Sequence, residues 1–491
     1  MQRRSLAKKI VDEAMREGYT ITKKALELLE SIENPLKILD EAIKILKTEK
    51  AKPSIIDEEL LKPLIAEKPR PKVEAKIEEA VVEELPQIEV DERFLREYRI
   101  KGSVEEFRSY FKSRYEKLSQ IIKSRLGNVV DLKSALKLRE GEEAYVVAMV
   151  YDKRETEKAW ILEVDDVSAE ATIIVPKTSD ENLRKTAELL LQDSVCGIRV
   201  LRRGEAFIAK DLLLPEIAPE NIEKTNLTTY VCLISDIHLG SNKFRKDLFE
   251  TFLDWINRSR DAEVKRIRFL IVAGDLVDGV GVYPNQQKEL EITSVKEQFK
   301  QLSKLLSEIP ESIKIIIAPG NHEPVQKALP QPPLQEEYKR ILEESGRDIL
   351  FVGNPAWIKI GGRSFLIYHG QGLDDVIQLI PGFSHSSLQR DIGRVLETLI
   401  KHRHLSPIYG EGTPILPLSE DLLVIDKVPN VFHVGHVHVA YAGSYRGVRL
   451  INTGTWQEQT SYQRNVGLEP TVGVAALVNL GDLSIKVKRF M

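Results

Sequence analysis

Five short apolar runs each stop at a histidine, aspartate or asparagine motif, and this recurrence constrains the fold more than any other feature of the chain. Val231-Cys232-Leu233-Ile234 leads into Asp236-Ile237-His238. Phe269-Leu270-Ile271-Val272 leads into Gly274-Asp275-Leu276-Val277-Asp278, and Ile315-Ile316-Ile317 leads into Gly320-Asn321-His322. Phe365-Leu366-Ile367 ends at Tyr368-His369-Gly370, and Val431-Phe432 precedes Gly435-His436-Val437-His438. Short continuous apolar runs read as strands buried on both faces. Polar residues at the carboxyl ends of such strands fall where open α/β sheets bind their ligands. The neighbouring glycines permit tight turns and close backbone approach.

The residue types narrow the chemistry. The chain has nine histidines, and five of them lie in these motifs. Imidazole and carboxylate donors suit manganese, iron or zinc, whereas a thiolate would bias a site toward zinc. Two cations about 3.5–4 Å apart need a shared anionic ligand, and Asp275 is the natural bridge. One ion is expected on Asp236, His238 and His438, the other on Asn321, His369 and His436. The expected cofactor is two divalent metal ions, manganese first, with magnesium, iron or zinc as alternatives. Such a pair activates water and steadies a phosphoryl group under attack. Asp278 either orients a ligand or caps the following turn. A lone Asp-x-His or Gly-Asn-His arises by chance; five fragments that each close a strand do not.

At 491 residues the chain should hold about three domains. Residues 1–50 carry helical apolar periodicity, for example Leu6, Ile10, Val11 and Ala14, and read as a small helical domain. It is either a plain bundle or a docking module. Residues 51–90, punctuated by Pro53, Pro63, Pro69, Pro71 and Pro86, read as a flexible linker, with a short helix around Val73–Leu85 as the alternative. Residues 91–140 look helical, and Phe94, Tyr98, Phe107, Tyr110, Phe111 and Tyr115 form a stripe expected in a core. Strands are predicted at Ala144–Tyr151, Lys158–Glu163, Glu170–Val175, Ser194–Leu201 and Ala206–Leu214, with a helix at Asp180–Leu191. Five strands with a helix in that slot match an OB-fold barrel, which places one domain at 91–220 and the last at 221–491. OB folds bind single strands through aromatics and basic side chains. Here Tyr145, Tyr151, Trp160 and Phe207 are the main aromatics, so DNA binding by the barrel stands level with a structural role.

The charge balance weighs against an unaided grip on nucleic acid: 71 basic residues face 75 acidic ones, a formal charge of −4. The two cysteines, Cys196 and Cys232, lie in apolar runs without ligand spacing, which suits a reduced, cytoplasmic compartment. No apolar run approaches the roughly 20 residues of a membrane span, so no membrane partner is expected.

The five motifs match every element of the pattern of the calcineurin-like metallophosphoesterase superfamily, which this chain resembles. The resemblance implies a β-sandwich flanked by helices, the bridging role of Asp275 and the ligand split given above. It also implies that His322 faces the substrate and stabilises or protonates the leaving oxygen. Protein phosphatases of the superfamily carry Arg-Gly after the second aspartate. Here Asp278 is followed by Gly279-Val280-Gly281, and the missing bidentate donor leaves a phosphodiester as the expected substrate.

The full arrangement is multidomain α/β plus β: a small helical domain, a linker, an OB-fold barrel, then the phosphoesterase sandwich. It resembles the small-subunit family of the archaeal family D DNA polymerases and the second subunits of the eukaryotic replicative polymerases. Lys401-His402-Arg403-His404-Leu405, Glu420-Asp421-Leu422-Leu423-Val424-Ile425, Tyr445-Arg446-Gly447-Val448 and Asn452-Thr453-Gly454-Thr455-Trp456-Gln457 extend the likeness. In the eukaryotic relatives the metal ligands are typically lost, whereas here all are present. The resemblance implies a 3′–5′ exonuclease suited to proofreading. It also implies a heterodimer with the large catalytic polymerase subunit, acting on single-stranded or primer-template DNA. Arg403 and His404 are expected to touch backbone phosphate, with a solvated turn before Pro407 as the alternative. Two other readings are a non-catalytic scaffold and a repair nuclease of the same superfamily. That nuclease places its phosphoesterase first, whereas here about 230 residues precede it.

Overall fold

A computed structural model describes residues 2–30, 35–48, 55–65 and 85–491, which fall into two compact units, 1–84 and 85–491. In the first unit the helices Gln2–Arg16, Lys23–Glu30, Pro35–Thr48 and Glu58–Ile65 bury Ile10, Leu29, Leu39, Ile43 and Leu61 together. A two-residue parallel ladder joins Thr20–Ile21 to Ile55–Ile56. The helical unit therefore runs past residue 50. The proline-punctuated stretch supplies a strand and a helix because Ile56 and Leu61 are apolar and fully buried. The expected linker from 66 to 84, and with it the helix weighed around Val73–Leu85, lies outside the described residues. Its far end is ordered: Ile88–Val90 pairs with Ala356–Ile360 as a sheet edge.

The second unit holds two six-stranded sheets and a closed five-stranded barrel. In one sheet Tyr230–Ile234, Ile267–Ala273, Lys314–Ala318 and Ile349–Phe351 run parallel, with Val474–Asn479 antiparallel beside the first. In the other, Arg363–Tyr368, Val431–Val434 and Val448–Asn452 run parallel. Side chains alternate across each strand. Val231, Leu233, Phe269, Ile271 and Ile316 share one core with Ile358, Phe365 and Ile367 of the other sheet. Cys232, Ile234, Leu270, Val272, Ile315 and Ile317 point the other way, toward the helices Lys246–Arg258 and Val295–Leu306. Leu373–Leu379 and Leu388–His402 bring Val376, Ile392, Leu396 and Leu399 to the core containing the second sheet. The strands thus have two apolar faces, and their carboxyl ends are the positions left for polar residues.

The barrel strands are Glu143–Glu155, Ala159–Asp165, Glu170–Pro176, Val195–Arg203 and Ala206–Leu213, with Glu181–Leu189 helical between the third and fourth. Trp160 and Phe207 fill its interior and are 4% and 0% exposed, so neither offers a ring to a ligand; Tyr151 is 40% exposed. The helix Val104–Lys123 opens with a capping box between Ser103 and Glu106. Its Tyr115, Leu118 and Ile122 pack on Val147, Met149 and Val195 of the barrel. The aromatic stripe is core: Phe94, Tyr98, Tyr110 and Tyr115 are buried, although Phe94 and Tyr98 precede the helix.

Candidate metal centre

The loops after the five strands converge. Oxygen and nitrogen atoms of Asp236, His238 and His438 lie within 4.8 Å of one another, as do those of Asp275, His369 and His436. Asp275 Oδ2 is 3.6 Å from His238 Nε2 and 3.2 Å from His369 Nε2, which places one carboxylate oxygen between the two groups. Asn321 Oδ1 sits 2.9 Å from His369 Nε2 and 3.0 Å from His436 Nδ1. His238 Nε2 and His438 Nε2 face each other at 3.0 Å.

The loops adopt unusual backbone to do this. Asp236, His238, Asp275, His436 and His438 have φ of 53°, 52°, 50°, 67° and 57°, the left-handed region that L side chains rarely take. Such strain concentrates at functional sites. A Cβ on Gly435 would collide with Asp236 Oδ2, and one on Gly320 with Asp275 Oδ1. The motif glycines therefore make room for the carboxylates.

The groups behind these residues fix their orientation. His369 Nδ1 donates to Ala273 O at 2.9 Å, which leaves Nε2 free to face the cluster. His238 Nδ1 lies 3.0 Å from Asp278 Oδ1, and Asp278 is itself held by Gln286 and Gln457. Asp278 thus orients His238. His436 Nε2 lies 2.9 Å from Asp374 Oδ2, and Gln463 Nε2 lies 2.8 Å from His438 Nδ1. Glu323, fully buried, accepts from the backbone N–H groups of Asp275, Leu276, Val277 and Gly320 at 2.6–3.2 Å. Sequence reasoning missed Asp374, Gln463 and Glu323. Glu323 directly follows His322, but neither Asp374 nor Gln463 carries any motif signal.

Asp236 and Asp275 are 0% and 1% exposed and have no Lys or Arg partner among the described residues. A buried carboxylate needs a counter-charge. Burial lowers His238 and His369, but their aspartate neighbours outweigh it and lift them to about 9 and about 10. Burial likewise opposes the charge on Asp236 and Asp275, yet the surrounding histidines hold both below the usual carboxylate range. A set of buried N and O donors that draws in positive charge fits hard or borderline divalent cations. His322 stands beside the cluster. Its Nδ1 donates to Asp278 O at 2.7 Å, and its Nε2 is 3.8 Å from Asp275 Oδ2. Burial lowers its pKa. His238, Asp275, Asn321, His322, His436 and His438 line a cavity of about 840 Å³ that also takes in Lys243, Tyr283, Lys288, His385 and Tyr462, while Asp236 and His369 lie behind them.

Arg403 and His404 are not part of it, and the expected phosphate contact is corrected. They close the helix Leu388–His402, with Arg403 as its left-handed C-cap at φ 53°. Arg403 is 6% exposed, donates to Lys427 O and is lowered to about 10 by burial. His404 is 1% exposed, with Nε2 2.9 Å from Asp421 Oδ2. Apolar neighbours such as Leu399 and Leu405 draw this turn inward, so neither residue can meet a phosphate without unpacking.

A family model for the B subunit of DNA polymerase alpha/epsilon matches residues 231–442. The DNA polymerase II small subunit of Methanothermobacter thermautotrophicus is 34% identical over 487 residues, covering 97% of this chain and 98% of its own. The chain belongs to the archaeal DNA polymerase II small-subunit family. The family member of Pyrococcus horikoshii is 39% identical over 387 residues, and the match spans 77% of this chain but 61% of that longer relative. Among solved structures, an archaeal phosphodiesterase is similar over 53% of this chain and 99% of its own, at 13% identity and a TM-score of 0.28.

Proposed function

We propose that this small subunit is a two-metal 3′–5′ exodeoxyribonuclease that proofreads for a large catalytic polymerase subunit, with which it forms a heterodimer in the cytoplasm. The convergence of seven ligand-type residues, five of which line one cavity with His322 beside them, carries this reading. Asp236, His238 and His438 would hold one divalent cation, Asn321, His369 and His436 the other, and Asp275 both. Manganese is the first candidate. Cations bound there supply Lewis acidity and activated water. Asp278 and Asp374 keep His238 and His436 aimed inward, and Glu323 holds the loop that carries Asp275. His322 Nε2 is the ring nitrogen left to assist the departing oxygen, and the substrate's negative charge offsets the burial that lowers its pKa. The glycine after Asp278 offers a terminal phosphate no bidentate donor, which favours a diester.

In domain terms, residues 221–491 form a calcineurin-like sandwich. The barrel's strand order, first-second-third-fifth-fourth, with its helix after the third strand, supports an OB fold within 91–220.

The test is a 5′-labelled single-stranded DNA oligonucleotide with manganese, beside Asn321→Ala and His322→Ala. Stepwise shortening from the 3′ end that both variants lose supports the assignment. A wild type inert both alone and with the large subunit sinks it in favour of a scaffold.

A further inference from the structure

With Arg403 and His404 buried, the cavity must contact a strand through other residues. Tyr462 is 61% exposed and lines it. Its hydroxyl has no hydrogen-bond partner among the described residues. A large exposed ring on the wall of a cavity lined by ligand-type residues is placed to stack on what enters it. Its position is fixed: Ser461–Asn465 is a short helix capped reciprocally by Thr460 and Gln463, at 3.2 and 3.1 Å. The Gln463 amide, one residue on, contacts His438 at 2.8 Å. The ring is thus tied in register to the metal centre. The other tyrosine of the cavity, Tyr283, is half-buried, with its ring 6.2 Å from that of His322 and its hydroxyl donating to Glu289 Oε2 at 3.1 Å. Lys243 and Lys288 also line the cavity, and neither amine has an ion-pair partner among the described residues.

We propose that Tyr462 is the stacking platform for a base flanking the phosphodiester at the metal centre, and that Lys243 and Lys288 take backbone phosphates of the same single strand. Every base offers a π-face, so the contact selects unpaired ends without reading sequence. A paired end must first fray to reach the ring. This deepens the exonuclease reading and rests on it.

The full chain is titrated, in manganese, with a single strand whose 3′ linkages are phosphorothioates. Its twin lacks the last two bases. Wild type is expected to bind the intact strand about tenfold more tightly. Tyr462→Ala is expected to bind both alike, and Tyr462→Phe to keep the preference, since the ring and not the hydroxyl stacks. The double variant Lys243→Ala/Lys288→Ala is expected to flatten the slope of log affinity against log salt by about 1.4, at roughly 0.7 per phosphate. Wild type without the preference, wild type without saturable binding, or Tyr462→Ala with the preference intact overturns the platform. An unchanged slope overturns the lysine assignment. Failure of the exonuclease reading registers separately, as no manganese-dependent shortening of an unmodified strand while the binding preference persists.

Discussion

Glu323 contacts no open space, yet four backbone N–H groups from the loops that carry Asp275 and Asn321 end on its carboxylate. Hydrogen bonds to a buried charge are each worth about 1.5–3 kcal/mol. Glu323→Gln keeps the shape but turns an N–H₂ toward backbone donors. It is expected to lose at least about 2 kcal/mol of stability in urea titrations and to weaken manganese binding measured by calorimetry. His322→Ala is expected to behave differently. It should lower kcat by about 10²–10⁴-fold and leave the bound metal content near wild type, as checked by elemental analysis. The ligand-type residues stood out because their motifs follow short continuous apolar runs. Glu323, Asp374 and Gln463 were not, since their roles come from contacts with loops far along the chain that no local pattern encodes.

The helix Val104–Lys123 ties barrel to sandwich through a buried ion pair. Arg114 Nε is 2.8 Å from Asp421 Oδ2, and the two side chains are 1% and 0% exposed. Removing one partner strands a buried charge, at about 3–5 kcal/mol. Arg114→Met is expected to cost that much in chemical denaturation, and Arg114→Met/Asp421→Leu clearly less than the sum of the singles. Beside this pair, burial lowers His402 and His404 to about 4. An unfolded histidine titrates near 6.5, so between those values the unfolded chain binds protons that the folded one refuses. Stability from these residues is complete above about pH 6.5 and drains away as pH falls toward 4, at up to about 1.4 kcal/mol per pH unit for each histidine. The urea midpoint of wild type should fall relative to that of His402→Leu as the pH drops through that window. At this scale the barrel strands and the five sheet strands that lead into the motifs followed from apolar runs, whereas strands such as Ala356–Ile360 and Val474–Asn479 were not singled out. The strand at Ile55–Ile56 and the edge at Ile88–Val90 did not follow either, because two or three residues in a proline-rich context carry no period, and their partners lie in distant segments.

For the whole molecule, a formal charge of −4 gives no general attraction to DNA. The isolated chain is expected to bind single strands weakly and with strong salt dependence, and the large subunit to supply most of the affinity. Nanomolar binding by the isolated chain at about 0.2 M salt, read by fluorescence anisotropy, would contradict this. The burial of the turn that holds Arg403 and His404 was not readable from the sequence. A run rich in basic residues reads as solvated until tertiary contacts enclose it. Asp236, His238, Asp275, His436 and His438 hold their left-handed backbone against a conformational cost of about 1 kcal/mol or more apiece. Glycine at any of these places relieves that cost and removes a ligand-type side chain in the same step. A change to glycine therefore favours the fold at the expense of this site, and a lineage that keeps the subunit only for its contacts can shed the site by that route. Ligand sets built on such backbone persist only while selection acts on what they do.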